Sequence, residues 1–595
     1  MITGILALGV LSMANVVKVE DFGAVPGVRK DACEAVQKAV RTLKSGDTLK
    51  FPNGDFHFYA GMAFERELYL SNTDVVNPRR VAIPLEGLKN VRIQGSGKTR
   101  LLFHGRIMPF LVDRCENLTI KGFEVDWERP LMSQFEVVKS ESDGLTLKID
   151  PKQYPYAIRE GKLVFLVEGE EKQRVWWMEF DPKTRGVAYN TGDRGCMAGN
   201  ASDAVFTALA PGLIRMAYKI NSDRPKVGNQ LIARHGTRDH AGTFIQNSKG
   251  IRLDDIAFRH TSGLGVLAQR TENLSFNKII FAATKESGRL FSGHDDGFHI
   301  SNCKGQVTIE NCWFDGLMDD PINVHGTSVR AIEKIDARTW KIRFMHGQSQ
   351  GFVFGNVGDE VSFLSRETMA PFGRAKITEL KPVNIAEWTI KVDRDVPNEF
   401  QVGDAIENLT WTPNATIRKN YFGTVRARGL LVSTPGKVVI SENLFKSSGS
   451  AILIAGDANG WYESGAVTDV LIEKNRFENC LTSTYQFSEA VISIYPEIPA
   501  TVAPPFHKNI RIVNNTFKSF QIPILWARAV DGLTFTGNSV EATKDYVPWV
   551  ESKDALTFID CKNLKVSGNK LDDTYIKSGF KLVRSSSDTD ALKWP

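Results

Sequence analysis

The stretch that decides the fold reads Ala415-Thr416-Ile417-Arg418-Lys419-Asn420-Tyr421-Phe422, and it recurs 23 residues later as Val438-Val439-Ile440-Ser441-Glu442-Asn443-Leu444-Phe445. Both copies follow the order apolar-x-apolar-x-x-Asn-x-apolar. This order predicts a strand with one buried face, a bend at the asparagine and a second short strand. Further copies begin at Val307, Val470, Ile510, Leu533 and Leu564, and copies without the asparagine begin at Leu118, Ile251 and Leu274.

The spacing of these copies selects one architecture. Steps of 23 residues recur, as from Ile512 to Phe535, and the longer steps are explained by enlarged turns. A fixed period with enlargements confined to turns is typical of a parallel β-helix, in which the asparagines should form a ladder from coil to coil. A sandwich of hairpins would need frequent Asn-Gly or Asp-Gly turns, which are scarce in this chain. We therefore predict an all-β chain folded as a right-handed parallel β-helix.

Two stretches interrupt the repeat. Residues 131–230 and 329–411 contain alternating strands of their own, which predict two small antiparallel β-barrels inserted at enlarged turns. At the start of the chain, Asp31 is predicted to cap a helix through Val36 and Val40 that covers the open end of the β-helix. The predicted organisation is a signal peptide at 1–14, the cap and first coils at 15–130, a barrel at 131–230, central coils with an acidic site at 231–328, a second barrel at 329–411 and the last coils at 412–595.

Composition excludes several classes of function. The 595 residues carry a net charge of +5, with 24% charged residues and no basic run, which argues against nucleic acid as the partner. The seven cysteines form no CxxC pair, so a cysteine zinc site or a disulfide framework is not expected. Residues 2–14 have the apolar character of a signal peptide, although a buried strand is an alternative, and no other stretch is long enough to span a membrane.

Two acidic pairs precede neighbouring strands at the same register. His294-Asp295-Asp296-Gly297 leads into Phe298-His299-Ile300, and 24 residues on Met318-Asp319-Asp320-Pro321 leads into Ile322-Asn323-Val324. On neighbouring coils this alignment stacks up to four carboxylates, with His299, Asn323 and His325 pointing outward beside them. Carboxylates so close raise one another's pKa, and such crowding is more often kept for chemistry than for stability.

The stacked pairs suit glycoside hydrolysis. Coils lie about 4.8 Å apart, so carboxylates one coil apart and displaced sideways should be separated by roughly 6–10 Å, which leaves room for the water of an inverting reaction. One carboxylic acid would protonate the leaving oxygen, and a carboxylate opposite would activate water. In the loop 456–465, Trp461 is a candidate for stacking on the apolar face of a sugar, and packing against a neighbouring loop is the alternative.

Other interpretations of the same residues stay open at this point. Aspartates at turns often serve only as hydrogen-bonding turn residues. Four aspartates could also bind calcium, as in β-helix lyases, with Arg289, Arg426 or Arg428 as the base that a lyase needs. A glycan-binding β-helix without catalysis is a third alternative, but binding alone does not require stacked acids.

Two families resemble this arrangement. Polygalacturonases also combine strand-flanked acidic motifs with a β-helix, but the Gly-His-Gly and Arg-x-Lys motifs of that family are missing downstream. A closer resemblance covers nearly the whole chain and points to glycoside hydrolase family 110, the bacterial α-1,3-galactosidases active on blood-group B glycans. It rests on the segment Asp21-Phe22-Gly23-Ala24, the β-helix, the two inserted barrels, and the motifs at 294–297 and 319–326.

This resemblance implies an inverting exo-hydrolase that removes terminal α-1,3-linked galactose without a metal or cofactor. It implies Asp296 as the general acid and Asp319 and Asp320 as candidates for the base. Asp295, His299, Asn323, His325 and Trp461 are our candidates for substrate binding, from the register and from the loop. The expected partner is an oligosaccharide or glycoconjugate with terminal α-galactose, and no nucleic acid or membrane span is expected. The expected location is outside the bacterial cytoplasm, periplasmic, at the cell surface or secreted, and exposed barrel surfaces could pair two chains as a homodimer.

Overall fold

The computed structural model describes residues 15–173, 175–192, 203–219, 224–484, 489–587 and 591–594. The predicted signal peptide at 1–14 lies outside these residues. Within them the chain is almost entirely β-structure, and its longest sheets are built from parallel strands. The predicted fold class, a parallel β-helix with two inserted barrels, is confirmed. None of the described helices is long and apolar enough to cross a membrane.

Each complete coil contributes three strands. In one coil they are Lys437–Ser441, Leu444–Phe445 and Ile452–Ile454, and they pair in parallel with Asp469–Glu473, Arg476–Glu478 and Ile492–Ile494 of the next coil. The side chains of alternate residues turn inward, because successive residues of a strand face opposite sides. A single hydrophobic core therefore runs along the inside of the β-helix.

The strands of the β-helix fall into three groups along the chain. Before the first insertion they are Val16–Lys18, Thr48–Lys50, Gly54–Tyr59, Phe64–Arg66, Arg79–Glu86, Arg92–His104, Met108–Asp113 and Thr119–Trp127. Between the insertions they are Ala241–Gln246, Lys249–Phe258, Leu264–Gln269, Glu272–Phe281, Phe298–Ser301, Lys304–Glu310, Trp313–Phe314 and the first half of Ile322–Lys334. After the second insertion they are Asn414–Arg418, Tyr421–Phe422, Leu430–Ser433, Lys437–Ser441, Leu444–Phe445, Ile452–Ile454, Glu463–Ser464, Asp469–Glu473, Arg476–Glu478, Ile492–Ile494, His507–Val513, Thr516–Ser519, Leu525–Arg528, Val530–Thr536, Ser539–Ala542, Leu556–Ile559, Lys562–Ser567, Lys570–Leu571 and Phe580–Val583.

The predicted asparagine ladder forms at the bend between the first two strands of each coil. The side-chain amide of Asn443 donates to the Oδ1 atom of Asn475 at 3.0 Å and to the carbonyl of Ile417 at 3.0 Å. Asn475 repeats both bonds one coil further on, to Asn515 and Ile440. In the copy that begins at Val307, Cys312 occupies the ladder position, and its backbone N–H donates to Oδ1 of Asn420. The asparagine of this copy, Asn311, lies one residue earlier and has a positive φ.

The predicted capping helix spans Cys33–Arg41 and packs Val36, Ala39 and Val40 into the end of the core. Asp31 stands two residues before it and accepts a hydrogen bond from the backbone N–H of Cys33 at 2.9 Å, so it satisfies one of the free donors at the start of the helix. A second, short helix spans Asp573–Ser578, with Asp572 as its N-cap. Short 3₁₀ turns occupy Val19–Phe22 and Ala60–Met62.

The first insertion is an antiparallel domain with its own hydrophobic core. Leu290, Phe291 and Met318, which flank the acidic turns of the β-helix, belong to this core and fix the domain beside those turns. Its strands are Ser133–Glu141, Gly144–Lys148, Tyr156–Arg159, Lys162–Val167, Glu170–Lys172, Val175–Asp181, Gly186–Val187, Val205–Ala210, Leu213–Ala217 and Gln230–His235.

The second insertion begins within a strand of the β-helix. Ile322–Lys334 pairs in parallel with its coil neighbours over its first four residues and in antiparallel with barrel strands over its last residues. The other strands of this barrel are Thr339–Arg343, Glu360–Leu364, Pro371–Pro382, Glu387–Val392 and Ala405–Asn408. Because one strand serves both units, the barrel is held rigidly next to the residues that begin that strand.

Candidate active site

The two acidic pairs lie at the same turn of neighbouring coils. We call them the first acidic turn (residues 293–297) and the second acidic turn (residues 317–321). The strands behind them pair Phe298 with Ile322 and His299 with Asn323, which confirms the predicted register. On the next coil Leu430 pairs with Ile322. Asp296, Asp320 and Arg428 therefore form one column, each two residues before its strand.

Asp295 lies behind this column rather than at the surface. Its carboxylate is fully buried and bonds to the guanidinium of Arg234, to Nε of Arg238 at 3.0 Å and to Nδ1 of His294 at 2.9 Å. Burial opposes its ionisation, but the charges of Arg238 and Arg234 outweigh burial and hold the pKa of Asp295 well below its usual value. Asp295 is therefore a fixed anion that positions Arg238.

The pKa of Asp296 is shifted in the opposite direction from that of Asp295. Burial and the negative charge of Asp319 raise its pKa well above the usual value, and Arg238 offsets only part of this. Its Oδ2 atom lies 2.7 Å from Nδ1 of His299, whereas its buried Oδ1 atom has no hydrogen-bond partner among the described residues. The protonated form of the Asp296 carboxyl group is therefore favoured, and one of its oxygen atoms has no hydrogen-bond partner among the described residues.

Two histidines behind Asp296 account for the position of its proton. Nδ1 of His325 lies 2.6 Å from the carbonyl of Gly326, which can only accept, and Nε2 of His325 lies 2.8 Å from Nε2 of His299. Burial lowers the pKa of His299 to about 4 and also lowers that of His325, so both rings are neutral. Nε2 of His325 must then accept a hydrogen bond from the Nε2–H of His299, and Nδ1 of His299 accepts one in turn from the carboxyl group of Asp296. The chain of neutral rings requires a protonated Asp296.

The second acidic turn presents two carboxylates in different states. Burial disfavours the charge of Asp319, but Arg238 and Arg426 outweigh this and lower its pKa. Burial raises the pKa of Asp320 to about 7, although Arg428 donates to it from its backbone at 3.0 Å and from its side chain at 2.9 Å. Asp319 is thus the stronger acid of this turn, and Asp320 titrates near neutral pH.

Arg238 connects the two acidic turns. One of its terminal nitrogens contacts Asp319 and lies 3.7 Å from Oδ1 of Asp296. The two carboxylate oxygens that face this nitrogen are therefore at most about 6 Å apart, at or below the lower limit of the separation predicted from the register. This distance is shorter than the roughly 6.5–9.5 Å typical of inverting enzymes, so the carboxylates would have to move apart to admit the attacking water. A guanidinium between an acid and a carboxylate stabilises negative charge on either one.

The charges of the site nearly balance when one acid carries a proton. Five carboxyl groups and four guanidinium groups meet here: Asp295, Asp296, Asp319, Asp320 and Glu463 against Arg234, Arg238, Arg426 and Arg428. Buried unpaired charge is costly, so one of the five carboxyl groups is expected to stay neutral. The pKa values of Asp296 and Asp320 are both raised, but Arg428 donates to both oxygens of Asp320 and favours its charged form, whereas Oδ1 of Asp296 has no hydrogen-bond partner among the described residues. Asp296 is therefore the acid that most readily keeps a proton.

The wall opposite the acidic turns comes from the loop 456–465. Glu463 pairs in antiparallel with Thr327, accepts from the amide of Asn323 at 3.3 Å and accepts from Asn72 at 2.8 Å. Trp461 is 41% exposed, and its ring packs against that of His346 of the second barrel, with ring centres 4.3 Å apart and planes tilted by 32°. The centre of this ring lies 6.0 Å from the guanidinium carbon of Arg238. These walls enclose a pocket of about 670 Å³ including its open mouth.

The structure brings most of the predicted site residues to this pocket. Its lining includes Asp296, His299, Asp319, Asp320, Asn323 and Trp461. Asp295 and His325 lie in the layer behind and hold the lining residues in place. Arg289, a candidate base for a lyase, bonds to Asp126 at 2.7 Å and lines a different cavity.

Arg234, Arg238 and Glu463 are partners of the acids that the sequence did not predict, whereas Arg426 and Arg428 were candidates only as the base of a lyase. Arg234 lies in the last strand of the first barrel, Gln230–His235, Arg238 follows this strand, and no local pattern marks either residue. Glu463 is part of an irregular loop. Arg428 had a usable signal, because aligning Leu430 with Ile322 places it above Asp320, but the barrel of residues 329–411 separates the two copies.

One group of donor atoms here has the composition of a metal site. The ring nitrogens of His299 and His325 and a carboxylate oxygen of Glu463 lie within 4.8 Å of one another. In the hydrogen-bonded arrangement described above, both Nε2 atoms are used in the proton chain that leads to Asp296. The same atoms cannot serve a cation and this chain at once.

Known proteins resemble this chain along most of its length. An α-1,3-galactosidase B of Bacteroides thetaiotaomicron is 44% identical over 575 residues, covering 96% of this chain and 93% of that protein. An α-1,3-galactosidase B of Akkermansia muciniphila is 36% identical, covering 96% and 72%. An α-1,3-galactosidase A of Bacteroides fragilis is 37% identical, covering 93% and 92%. Sequence models of GLAA-B β-barrel domains I and II match residues 133–231 and 339–406.

Proposed function

Because the chain belongs to the α-1,3-galactosidase family and removes terminal α-1,3-linked galactose, we propose that it does so with inversion, using Asp296 as the general acid and Asp319 as the general base. The observation that carries this assignment is that the surroundings shift the pKa values of two neighbouring carboxyl groups in opposite directions, upward for Asp296 and downward for Asp319. Such a pair supplies an acid and a base in one pocket at neutral pH.

Asp296 acts on the leaving group. The proton on Oδ2 of Asp296 leaves its hydrogen bond to Nδ1 of His299 and passes to the glycosidic oxygen as the bond from that oxygen to the anomeric carbon breaks. The carboxylate that remains lies 3.7 Å from the guanidinium of Arg238, which stabilises its new charge. His299 and His325 do not touch the reacting bond in this scheme, and they keep the acid protonated between turnovers.

Asp319 acts on the nucleophile. It removes a proton from a water molecule whose oxygen attacks the anomeric carbon from the face opposite the leaving group, so an α-linkage releases β-galactose. Asp319 is favoured over Asp320 as the base because it is ionised at neutral pH and because Arg428 occupies both oxygens of Asp320. Asp320 then fixes Arg428 next to the water.

The pocket accounts for removal of a single terminal sugar. Residues of both acidic turns line it together with Trp461, whose ring is partly exposed. An aromatic ring at this place can stack on the apolar face of galactose. Blood-group B glycans are the proposed substrates, and linear α-1,3-galactosyl glycans are included in the proposal.

Proton NMR of the reaction tests the stereochemistry. Purified enzyme is mixed with an α-1,3-galactosyl oligosaccharide and, in parallel, with the branched fucosylated form, each with and without EDTA. Immediate appearance of β-galactose that then mutarotates, unchanged by EDTA, is expected. Initial release of α-galactose would refute inversion, and loss of activity with EDTA would assign His299, His325 and Glu463 to a catalytic metal.

Azide rescue tests the choice of base. Removing the base side chain leaves room for azide, which needs no deprotonation and attacks in place of water. Asp319→Ala should lose activity and recover it in azide, with β-galactosyl azide as the product. Asp320→Ala is the matched variant on the same turn, and rescue of this variant instead of Asp319→Ala would reverse the assignment.

Location and assembly complete the proposal. The apolar character of residues 2–14 supports export from the bacterial cytoplasm, which fractionation of cells expressing the full chain would test by locating the enzyme. Pairing of two chains through exposed barrel surfaces is the proposed assembly. Light scattering of the purified protein would show twice the chain mass of 66.2 kDa if it forms, and the single chain mass if it does not.

A further inference from the structure

A second group of histidines lies far from the acidic turns, at the capped end of the β-helix. His57 belongs to the strand Gly54–Tyr59, His104 ends the neighbouring strand Arg92–His104, and Glu128 follows the strand Thr119–Trp127 on the next coil. Both histidines are buried, whereas the Glu128 side chain is 37% exposed and reaches inward from the surface. Three successive coils thus contribute one donor residue each.

The donor atoms lie close enough together to bind one metal ion after a small shift of the histidines. Nδ1 of His57 lies 2.9 Å from Nε2 of His104, and Oε2 of Glu128 lies 3.9 Å and 3.7 Å from these two nitrogens. Two ligands at about 2.1 Å from a tetrahedral zinc ion lie about 3.4 Å apart, so the two nitrogens, which are hydrogen-bonded without a metal, would separate by about 0.5 Å when zinc binds. The carboxylate oxygen is too far from either nitrogen for a hydrogen bond, and a cation between the three atoms would bond to all of them.

Neighbouring side chains orient these donor atoms toward one point. Glu168 lies 3.0 Å from Nδ1 of His104, so it holds the proton there and leaves Nε2 with its lone pair toward His57 and Glu128. Arg29 bonds to Oε1 of Glu128 at 2.6 Å and leaves Oε2 facing the histidines. The ring of Tyr59 stacks on His104 at 4.0 Å and fixes its plane.

A free coordination position is also present. His57 and Glu128 line a cavity of about 770 Å³ including its open mouth, and its other walls include Arg100, Asp126 and Arg289. Water can reach the metal position from this cavity. Two neutral imidazoles and one carboxylate with an open fourth position form a typical donor set for zinc.

We propose that His57, His104 and Glu128 form a divalent transition-metal site of the zinc type, with Glu168 as the carboxylate that orients His104. The ion would join three coils at the end of the β-helix and would stabilise that end without contributing to hydrolysis. This site is independent of the proposed function, since none of its residues lines the catalytic pocket.

Zinc titration of the full-length protein tests the site. Protein freed of metal by EDTA and then by buffer exchange is titrated with Zn²⁺ in a calorimeter, and Co²⁺ absorption reports the geometry. We expect one Zn²⁺ per chain at this site and a zinc-dependent rise in the melting temperature. Glu128→Gln, an exposed position that leaves the fold intact, should remove this equivalent and the rise, with galactosidase activity unchanged.

Two further variants separate this site from the alternatives. Glu168→Gln should weaken zinc binding about 10–100-fold while keeping all three ligands. Glu463→Gln removes the carboxylate from the group of His299, His325 and Glu463, and the Zn²⁺ bound at His57 should remain. The proposal is overturned if the wild-type protein takes up no zinc, or if Glu128→Gln and Glu168→Gln bind zinc as the wild type does. The two histidines would then serve only to form the hydrogen bond between them.

Discussion

Replacing Asp296 by asparagine separates its role as an acid from its role in the structure. The amide nitrogen of asparagine can take the place of Oδ2 and donate to Nδ1 of His299, now 2.7 Å away, just as the protonated carboxyl group does. One neutral group replaces another, so the pocket and the stability of the protein should be preserved. Only the transferable proton is lost.

The expected effect depends on the leaving group. A positioned general acid accelerates a reaction by about 10²–10⁴-fold, so kcat for an α-1,3-galactosyl disaccharide should fall about 10³-fold, or by roughly 4 kcal/mol in the activation barrier. A dinitrophenyl α-galactoside has a leaving oxygen that needs no proton. Its kcat should fall less than about tenfold, because Asp319 still activates water.

The assay follows galactose release from both substrates across pH. In the wild-type enzyme, disaccharide hydrolysis should decline as the pH rises through the raised pKa of Asp296, since the acid must be protonated. The variant should lack this decline with the aryl substrate. Asp315→Asn is the matched control, because burial raises the pKa of Asp315 to about 7 in a different cavity. Equal losses on both substrates would refute the assignment of Asp296 as the acid.

Three further predictions follow from other parts of the structure. His325→Ala removes the acceptor for Nε2 of His299, so His299 can carry its proton on Nδ1 and donate to Asp296. This bond favours the charged form of Asp296, so the high-pH limb of the disaccharide rate profile should move down by about one pH unit. An unmoved limb would exclude the proton chain. Asn475→Ala removes four hydrogen bonds of the ladder and should lower the free energy of unfolding by about 3 kcal/mol in denaturant titration, whereas a loss below about 1 kcal/mol would contradict the ladder's contribution. Burial raises the pKa of Glu407 in the second barrel from 4.5 to about 7, so the native state loses stability relative to the unfolded chain as the pH rises through this interval. Glu407→Gln should therefore gain about 3 kcal/mol over the wild type between pH 4 and pH 8, and a gain equal at both pH values would contradict this reason.

The repeat and the register of the acidic turns could be predicted from the sequence. Every coil places equivalent residues in equivalent surroundings, so the buried positions and the ladder asparagines recur at a spacing that is visible without a structure. The same spacing aligned Phe298 with Ile322 and brought Asp296 above Asp320. It also gave the candidate Asn323 at the pocket, and the aromatic residue in the loop 456–465 gave Trp461.

Only the tertiary structure decided which carboxyl group holds a proton. Arg238 reaches the site from the end of a barrel, and Glu463 reaches it from an enlarged turn. Neither position follows a period, because an insertion packs onto the β-helix through contacts that do not repeat from coil to coil. The pKa of each aspartate depends on these few long-range charges and on burial, so chemically similar residues at Asp296 and Asp319 acquire opposite protonation states.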